Sequence, residues 1–295
     1  MIVPVVFAVP LISKQIALDW AAVQRNLRRT IRTVLGTDDQ NAMVVVAHAE
    51  KPEGDFWDSD RVVSLPVDLP CPTTFDGARL DKKLKRTLIG VWLKRNSPAT
   101  GAVIVVLDAD DLVSPRLVPF IRENSSGCGL RIDRGWRLDM ITRRAREHQV
   151  RFSAYCGSSF AGFFAKDELP DSLDDMNAPY RLVVVGHHRE FGERYREATA
   201  RPVIDVDFPA MVYPINQSES LNQRATSTAV RRMNLDRAIS AEETRLMLER
   251  DFAVMDLWPE AGRPDRWDKA EVRPALCRKL PAEGAPRPTS SPPRR

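Results

Sequence analysis

Apolar residues fall into short runs separated by longer stretches of mixed polarity, and this alternation sets the first expectations. Residues 3–11 are almost continuously apolar and read as a strand. Residues 19–35 carry apolar side chains at helical spacing, with Arg25, Arg28, Arg29 and Arg32 turned outward and Gly36 as the stop. Residues 43–47 and 62–65 predict two further strands, separated by a loop over 52–60. Residues 81–95 predict a helix that buries Leu84, Leu88, Ile89 and Trp92. Next comes Gly101-Ala-Val-Ile-Val-Val-Leu-Asp-Ala-Asp-Asp-Leu112, in which an unbroken apolar run leads into Asp108, Asp110 and Asp111. Such a run reads as a strand covered on both faces.

A helix around 114–123 follows, and then the character of the chain changes. Residues 130–149 are basic, contain Trp136, and suit either short strands or a helix. Residues 151–164 are rich in aromatic and small side chains, as expected of a strand whose backbone approaches a ligand. An acidic loop with Asp171, Asp174 and Asp175 precedes a helix over 180–198, a strand over 202–213 and a last helix over 242–255. From Pro259 the chain is rich in Pro, Arg and Gly, and 281–295 has almost nothing to bury, so 259–295 is expected to be a disordered tail. The alternation of strand and helix predicts an α/β fold: a mainly parallel central sheet with flanking helices, in one domain over 1–258.

The three aspartates carry the clearest chemistry. A central parallel strand delivers its next residues to the carboxyl edge of the sheet, where open α/β folds bind ligands. Carboxylates crowded there repel one another, and a hard divalent cation relieves that repulsion while leaving positions open for substrate phosphates. The alternative is that one aspartate caps the helix opened by Ser114-Pro115, which needs one acid and not three. The chain has no G-x-G-x-x-G and no Walker A sequence, so a bound phosphate must be held by metal and basic side chains.

Composition narrows the classes. The 295 residues carry a net charge of +4, with basic residues crowded at 82–95, 131–151 and the C-terminal end. No stripe of basic residues interleaved with aromatics is present, which argues against nucleic acid as a partner. No apolar run approaches the ~20 residues of a membrane span. The apolar start lacks a basic leader and is followed by an amphipathic pattern, so a core strand is expected there and not a signal peptide. Cys71, Cys128, Cys156 and Cys277 have no metal-ligand spacing and are expected to be reduced thiols of a cytoplasmic protein.

The first strand ending near Pro10, the buried strand ending in Asp108-Ala-Asp-Asp111, and the basic helix Asp81-Lys-Lys-Leu-Lys-Arg86 before it resemble a glycosyltransferase of the GT-A fold. More narrowly, they resemble the family-2-like bacterial enzymes, over about residues 3–213. The resemblance implies a Rossmann-like nucleotide-diphospho-sugar transferase fold. A nucleotide-binding half would span 1–125, an acceptor half 126–225 and a C-terminal helix 226–258. It implies Mn²⁺ or Mg²⁺ held by Asp108 and Asp110, with Pro10, Lys82, Lys83, Arg86, Asp108 and Asp111 around a nucleotide-sugar. The acceptor would be a saccharide, a lipid-linked glycan or a protein, in the cytoplasm or peripherally at the inner face of the membrane.

The family's acidic pair, from which the general base comes, is replaced here by His187-His188 followed by Glu190. His188, Glu190 and His187 are therefore the candidate catalytic groups, and Asp174-Asp175 is a rival acidic pair. At the end of the late strand, Asn216, Gln217, Ser218 and Glu219 are candidate contacts to the metal or diphosphate. Trp136, Tyr155, Phe160, Phe163 and Phe164 are aromatics for sugar stacking or for the core. Two other functions compete: a non-catalytic sugar- or partner-binding protein of the same fold, and a Mg²⁺-dependent phosphohydrolase. The phosphohydrolase pattern places its nucleophilic aspartate after the first strand, whereas here the acids come after a later one.

Overall fold

The computed structural model describes residues 3–37, 39–124, 127–217, 219, 237–255 and 257–258. The expected tail over 259–295 lies outside the described residues, as does Ser218. The chain begins β1 (Val5–Pro10), α1 (Trp20–Leu35), β2 (Ala42–His48), β3 (Val62–Pro66), α2 (Phe75–Asn96) and β4 (Ala102–Val106). It continues with β5 (Leu112–Val113), α3 (Leu117–Asn124), β6 (Gly129–Arg131), β7 (Gly135–Asp139), β8 (Arg144–His148) and β9 (Phe160–Phe164). It closes with α4 (Pro179–Val184), α5 (Phe191–Thr199), β10 (Val203–Asp205), β11 (Met211–Ile215) and α6 (Ala241–Phe252).

Seven strands form the main sheet in the order β10-β6-β9-β4-β1-β2-β3. Only β9 runs against its neighbours, pairing antiparallel with both β4 and β6. The protein is thus mixed α/β with a mostly parallel sheet flanked by helices, compatible with a Rossmann-like arrangement. Every residue of β1 and β4 is buried, because both faces of these strands are covered. The pleat divides β1 between two cores. Val5, Phe7 and Val9 pack with Val23, Leu27 and Ile31 of α1, whereas Val6 and Ala8 pack with Ile89 and Leu93 of α2 and with Tyr180.

A second sheet, β5-β11-β7-β8, was not anticipated. Its inner residues Leu112, Leu138 and Val212 pack against Met247, Leu248 and Phe252 of α6. Residues 130–149 accordingly form short strands, of the two options the sequence left open. The strand expected over 202–213 is split: β10 joins the main sheet and β11 the second one, across Asp207-Phe208-Pro209-Ala210. The helix expected over 180–198 also breaks, at Gly186, into α4, a 3₁₀ turn at His188–Glu190 and α5.

Helix α2 starts six residues before the expected Asp81, because Thr74 caps it and its hydroxyl accepts the Gly77 N–H at 2.9 Å. The buried side also differs from expectation. Asp81, Lys85 and Arg86 are buried along with Ile89, whereas Leu84, Leu88 and Trp92 remain half-buried. Gly90 permits this packing, since a Cβ there would stand 2.5 Å from the Tyr180 ring, whose hydroxyl donates to Arg86 O at 3.0 Å. Among the described residues no helix is long and apolar enough to cross a membrane.

Candidate functional site

Strand order locates the site. From β1 the chain proceeds outward to β2 and β3, then returns to place β4 on the other flank of β1. Adjacent connections therefore leave β1 and β4 in opposite directions, and a crevice opens beyond their carboxyl ends. Pro10 ends β1 at this crevice, and Asp108 lies two residues beyond β4.

Asp108 is the hub. Its Oδ2 accepts from Lys82 Nζ and its Oδ1 from Arg86, each at 2.8 Å. Burial pushes this carboxyl up, but Lys82 and Arg86 outweigh burial and hold it at about 2. Lys85, wholly buried one turn along α2, does not reach the crevice. It donates to Asp81 at 2.7 Å and to Leu11 O at 2.8 Å, tying α2 to the end of β1. The basic face of α2 is therefore not simply solvated: Lys85 and Arg86 are spent on internal ion pairs.

Asp110 and Asp111 diverge. Asp110 faces the crevice, where Gln217 Nε2 donates to its Oδ2 and Asn26 Nδ2 donates to Gln217 Oε1 at 2.9 Å. Burial, and then the negative charge of Asp108, push the Asp110 carboxyl up to about 7. Asp111 turns inward, where Ser158 Oγ and Cys156 Sγ donate to its Oδ2 and its Oδ1 has no hydrogen-bond partner. Burial raises its carboxyl well above the ordinary range, and Asp110 and Asp108 add to the rise. Asp111 lines neither cavity at the crevice, in contrast to its expected place around the nucleotide. Ser158 joins the two acids, since its hydroxyl also accepts the Asp108 N–H at 2.7 Å.

Two cavities meet at Asp108, sharing Lys82, Asp108 and Tyr213. The first has an apolar wall of Leu11, Ile12, Ile16 and Val23, with Pro10, Asp110 and Glu219 also lining it. Glu219 is committed to α1, accepting from the Asp19 and Leu18 N–H groups at 2.7 and 3.2 Å. The second cavity is basic, lined by Arg79, Lys82, Lys83, Arg86, His187 and His188, with Tyr155 at its side. Gly157 closes this cavity against the acid. A Cβ at Gly157 would stand 2.6 Å from Asp108 Oδ2 and would push on a carboxylate that Lys82 and Arg86 hold in place.

Of the three candidate bases, the structure brings His187 and His188 into the cavity and leaves Glu190 outside. Glu190 is exposed and paired with Arg194 at 2.9 Å, an i,i+4 pair on the outer surface of α5. His188 is half-buried, its Nε2 is buried without a partner, and its ring is hydrogen-bonded to the Ala154 backbone. Burial, followed by the neighbouring His187, lowers its pKa to about 4, so the ring is neutral at pH 7. The rival pair Asp174-Asp175 belongs to a loop where Asp175 accepts the Asp171 N–H, and it lines neither cavity. Of the aromatics, Phe160 and Phe164 are core, and Tyr155 is the one of the five that lines either of these two cavities.

Mg²⁺ is commonly held by one or two carboxylates together with substrate phosphates and not by a closed protein cage. Asp110 fits that role, because a cation beside it would offset the burial and the Asp108 repulsion that raise its carboxyl. Asp108 fits less well than expected, since both of its oxygens are taken up by Lys82 and Arg86. Among the described residues no group of three or more His, Cys, Asp or Glu side chains converges to hold a metal. No protein-family model matches the chain, and no curated protein matches it.

Arg79, Gly157, Ser158 and Tyr213 were not anticipated as site residues. Arg79 was visible in principle, lying three and four residues before Lys82 and Lys83 on one helix face. Gly157 and Ser158 fall in the small-residue stretch 151–164 that predicts a backbone close to a ligand, but that they meet Asp108 and Asp111 from about 50 residues away had no local signal.

Proposed function

We propose that the protein is a metal-dependent glycosyltransferase of the GT-A type, moving a sugar from a nucleotide-sugar donor to a saccharide, lipid-linked or protein acceptor. One observation carries this reading. Asp108 and Asp110 stand at the topological switch point of a mostly parallel sheet, where an apolar-walled cavity and a basic cavity meet. The apolar wall of the first cavity suits a nucleoside, and Asn26 offers it a polar edge. The diphosphate would lie where the cavities meet, in reach of Lys82, with the transferred sugar directed into the second cavity.

A Mg²⁺ or Mn²⁺ at Asp110 would supply Lewis-acid stabilisation of the charge on the leaving diphosphate. Lys82 and Arg86, fixed by Asp108, present positive charge to the same group without having to reorganise. In the transfer the acceptor oxygen bonds to the anomeric carbon and the bond from that carbon to the phosphate oxygen breaks. The electron pair leaves with the diphosphate, and the acceptor's proton passes to His188 Nε2. A neutral imidazole whose Nε2 has no partner is suited to that step once a turn of the ring brings this buried atom to the acceptor. The negative charge of a bound diphosphate raises the His188 pKa towards neutrality and strengthens it as a base.

A non-catalytic binding protein of the same fold is the second reading, favoured by the commitment of both Asp108 oxygens to ion pairs. A phosphohydrolase with its nucleophile after the first strand is disfavoured, because β1 runs into Pro10-Leu11-Ile12 with no acid. The test is thermal unfolding with UDP or GDP, with and without Mn²⁺. Ligand at 100 times Kd adds about 2.7 kcal/mol, a rise of roughly 5–10 °C for a chain of this size. A rise that requires Mn²⁺ is expected, and no shift with any nucleoside diphosphate overturns the proposal. Hydrolysis across a panel of nucleotide-sugars then separates an enzyme from a binding protein.

A further inference from the structure

Arg79, Lys82, Lys83 and Arg86 lie three or four residues apart on one face of α2, so like charges are stacked along a single stripe. Such i,i+3 and i,i+4 repulsions destabilise a helix, and the second cavity concentrates them. Facing the stripe are His187 and His188, while Arg189 and the Glu190–Arg194 pair stand in the neighbouring turn and helix. Behind Tyr155 lies another cation, with the Arg137 guanidinium 5.0 Å from the ring centre. Among the described residues the one carboxylate lining the cavity is Asp108, already shared between Lys82 and Arg86. Arg79 has a contact to Asp76 at 3.7 Å between two exposed side chains, a pairing worth little in water, and its guanidinium lies 5.8 Å from the Phe75 ring centre, which leaves its charge unbalanced.

Positive charge therefore exceeds what Asp108 balances. Lys82 and Arg86 suffice to meet a donor diphosphate at the junction of the cavities, which leaves Arg79 and Lys83 facing empty space beyond it. A carboxylate needs one such cation, whereas a phosphate dianion matches two. The buried Nε of Arg86 has no hydrogen-bond partner, so a further donor remains unused at this wall. Burial, and then the charges of Arg79, Arg194 and Arg86, lower the Lys83 pKa, and the opposing charge of Glu190 does not make up the difference.

We propose that this second cavity is a phosphate subsite, formed by Arg79 and Lys83 beyond Lys82, for a phosphate group carried by the acceptor. The acceptor is then a phosphorylated glycan or a lipid phosphate, not a neutral sugar. The word acceptor rests on the glycosyltransferase reading; the phosphate subsite does not.

The test is calorimetric titration of the full chain with inorganic phosphate, alone and with UDP and Mn²⁺ at saturation. Phosphate is expected to bind in both conditions, and Arg79→Ala/Lys83→Ala is expected to weaken it at least tenfold. Lys94→Ala removes a charge that pairs with Asp171 outside both cavities, and it is expected to leave phosphate affinity unchanged. The proposal is overturned by no phosphate binding, by undiminished binding in the double variant, or by displacement of phosphate by UDP, which would mean the cavity holds only the donor's diphosphate. Phosphate binding that depends on Arg79 and Lys83, in a chain that ignores every nucleoside diphosphate, would uphold the subsite and remove the glycosyltransferase reading. With a functioning donor, a sugar phosphate is expected to outcompete the same sugar without its phosphate as acceptor, and equal use of both also overturns the proposal.

Discussion

Asp110→Asn is expected to make the protein more stable at pH 8 while removing its response to Mn²⁺. Burial and the charge of Asp108 push the Asp110 carboxyl from an ordinary 3.8 up to about 7. Below about pH 4 this group is protonated in folded and unfolded chains alike, and it costs nothing. Between pH 4 and 7 the unfolded chain has lost the proton and the folded chain keeps it, so stability falls as pH rises. Above pH 7 both states are ionised and the whole cost is present. At 1.36 kcal/mol per pH unit, the rise from 3.8 to about 7 corresponds to about 4 kcal/mol.

Water entry and relaxation reduce that figure, and half of it still shifts the melting temperature by roughly 4–8 °C for a chain of this size. An asparagine retains an oxygen to accept from Gln217 while shedding the charge. The assay is thermal unfolding of wild type and variant at pH 4 and pH 8, each with and without Mn²⁺. The variant should melt higher at pH 8, match wild type at pH 4, and show no gain with Mn²⁺. An equal loss of stability at both pH values would refute the reasoning, because Asp110 would then be a structural bridge and not a charge held at a cost.

His188→Ala is expected to slow transfer by about 10²–10⁴ with little change in donor KM, whereas Glu190→Ala should stay within about twofold of wild type because its carboxylate pairs with Arg194 outside the cavities. Comparable losses in both variants, measured with the same nucleotide-sugar, would discard His188 as the base. Gly157→Ala forces a methyl group to within 2.6 Å of Asp108 Oδ2, so a loss of about 1–3 kcal/mol in unfolding stability should accompany a fall of more than tenfold in activity. A variant with wild-type stability and rate would show that Asp108 tolerates displacement.

Much of the first half of the chain was legible as a string. Continuous β-branched runs such as Val103-Ile-Val-Val106 lead to strands buried on both faces because no residue in them can be satisfied by water. Asp19 and Gly36 bracket α1 as expected, since capping is a local matter of a few backbone groups. The second half was harder to read. Residues 202–213 look like one strand, but Asp207-Phe208-Pro209 carries the chain from one sheet to the other, and a two-residue periodicity does not say which sheet a strand joins.

For the site, the sequence by itself determined that acids follow a central strand, that basic residues stand on the helix before it, and that no phosphate-binding glycine loop is present. Tertiary structure alone decided what each acid does. Asp108, Asp110 and Asp111 lie within four positions of one another, yet one is clamped by Lys82 and Arg86, one faces a cavity, and one turns into the core beneath Ser158. The difference arises because their partners come from 22 to 107 residues away in the chain, and only the packing of α2, the β9 approach and the end of β11 brings those partners to the carboxylates. Likewise, which of His188 and Glu190 lines the basic cavity is a matter of which way a short turn faces, and that direction is not written in their spacing along the chain.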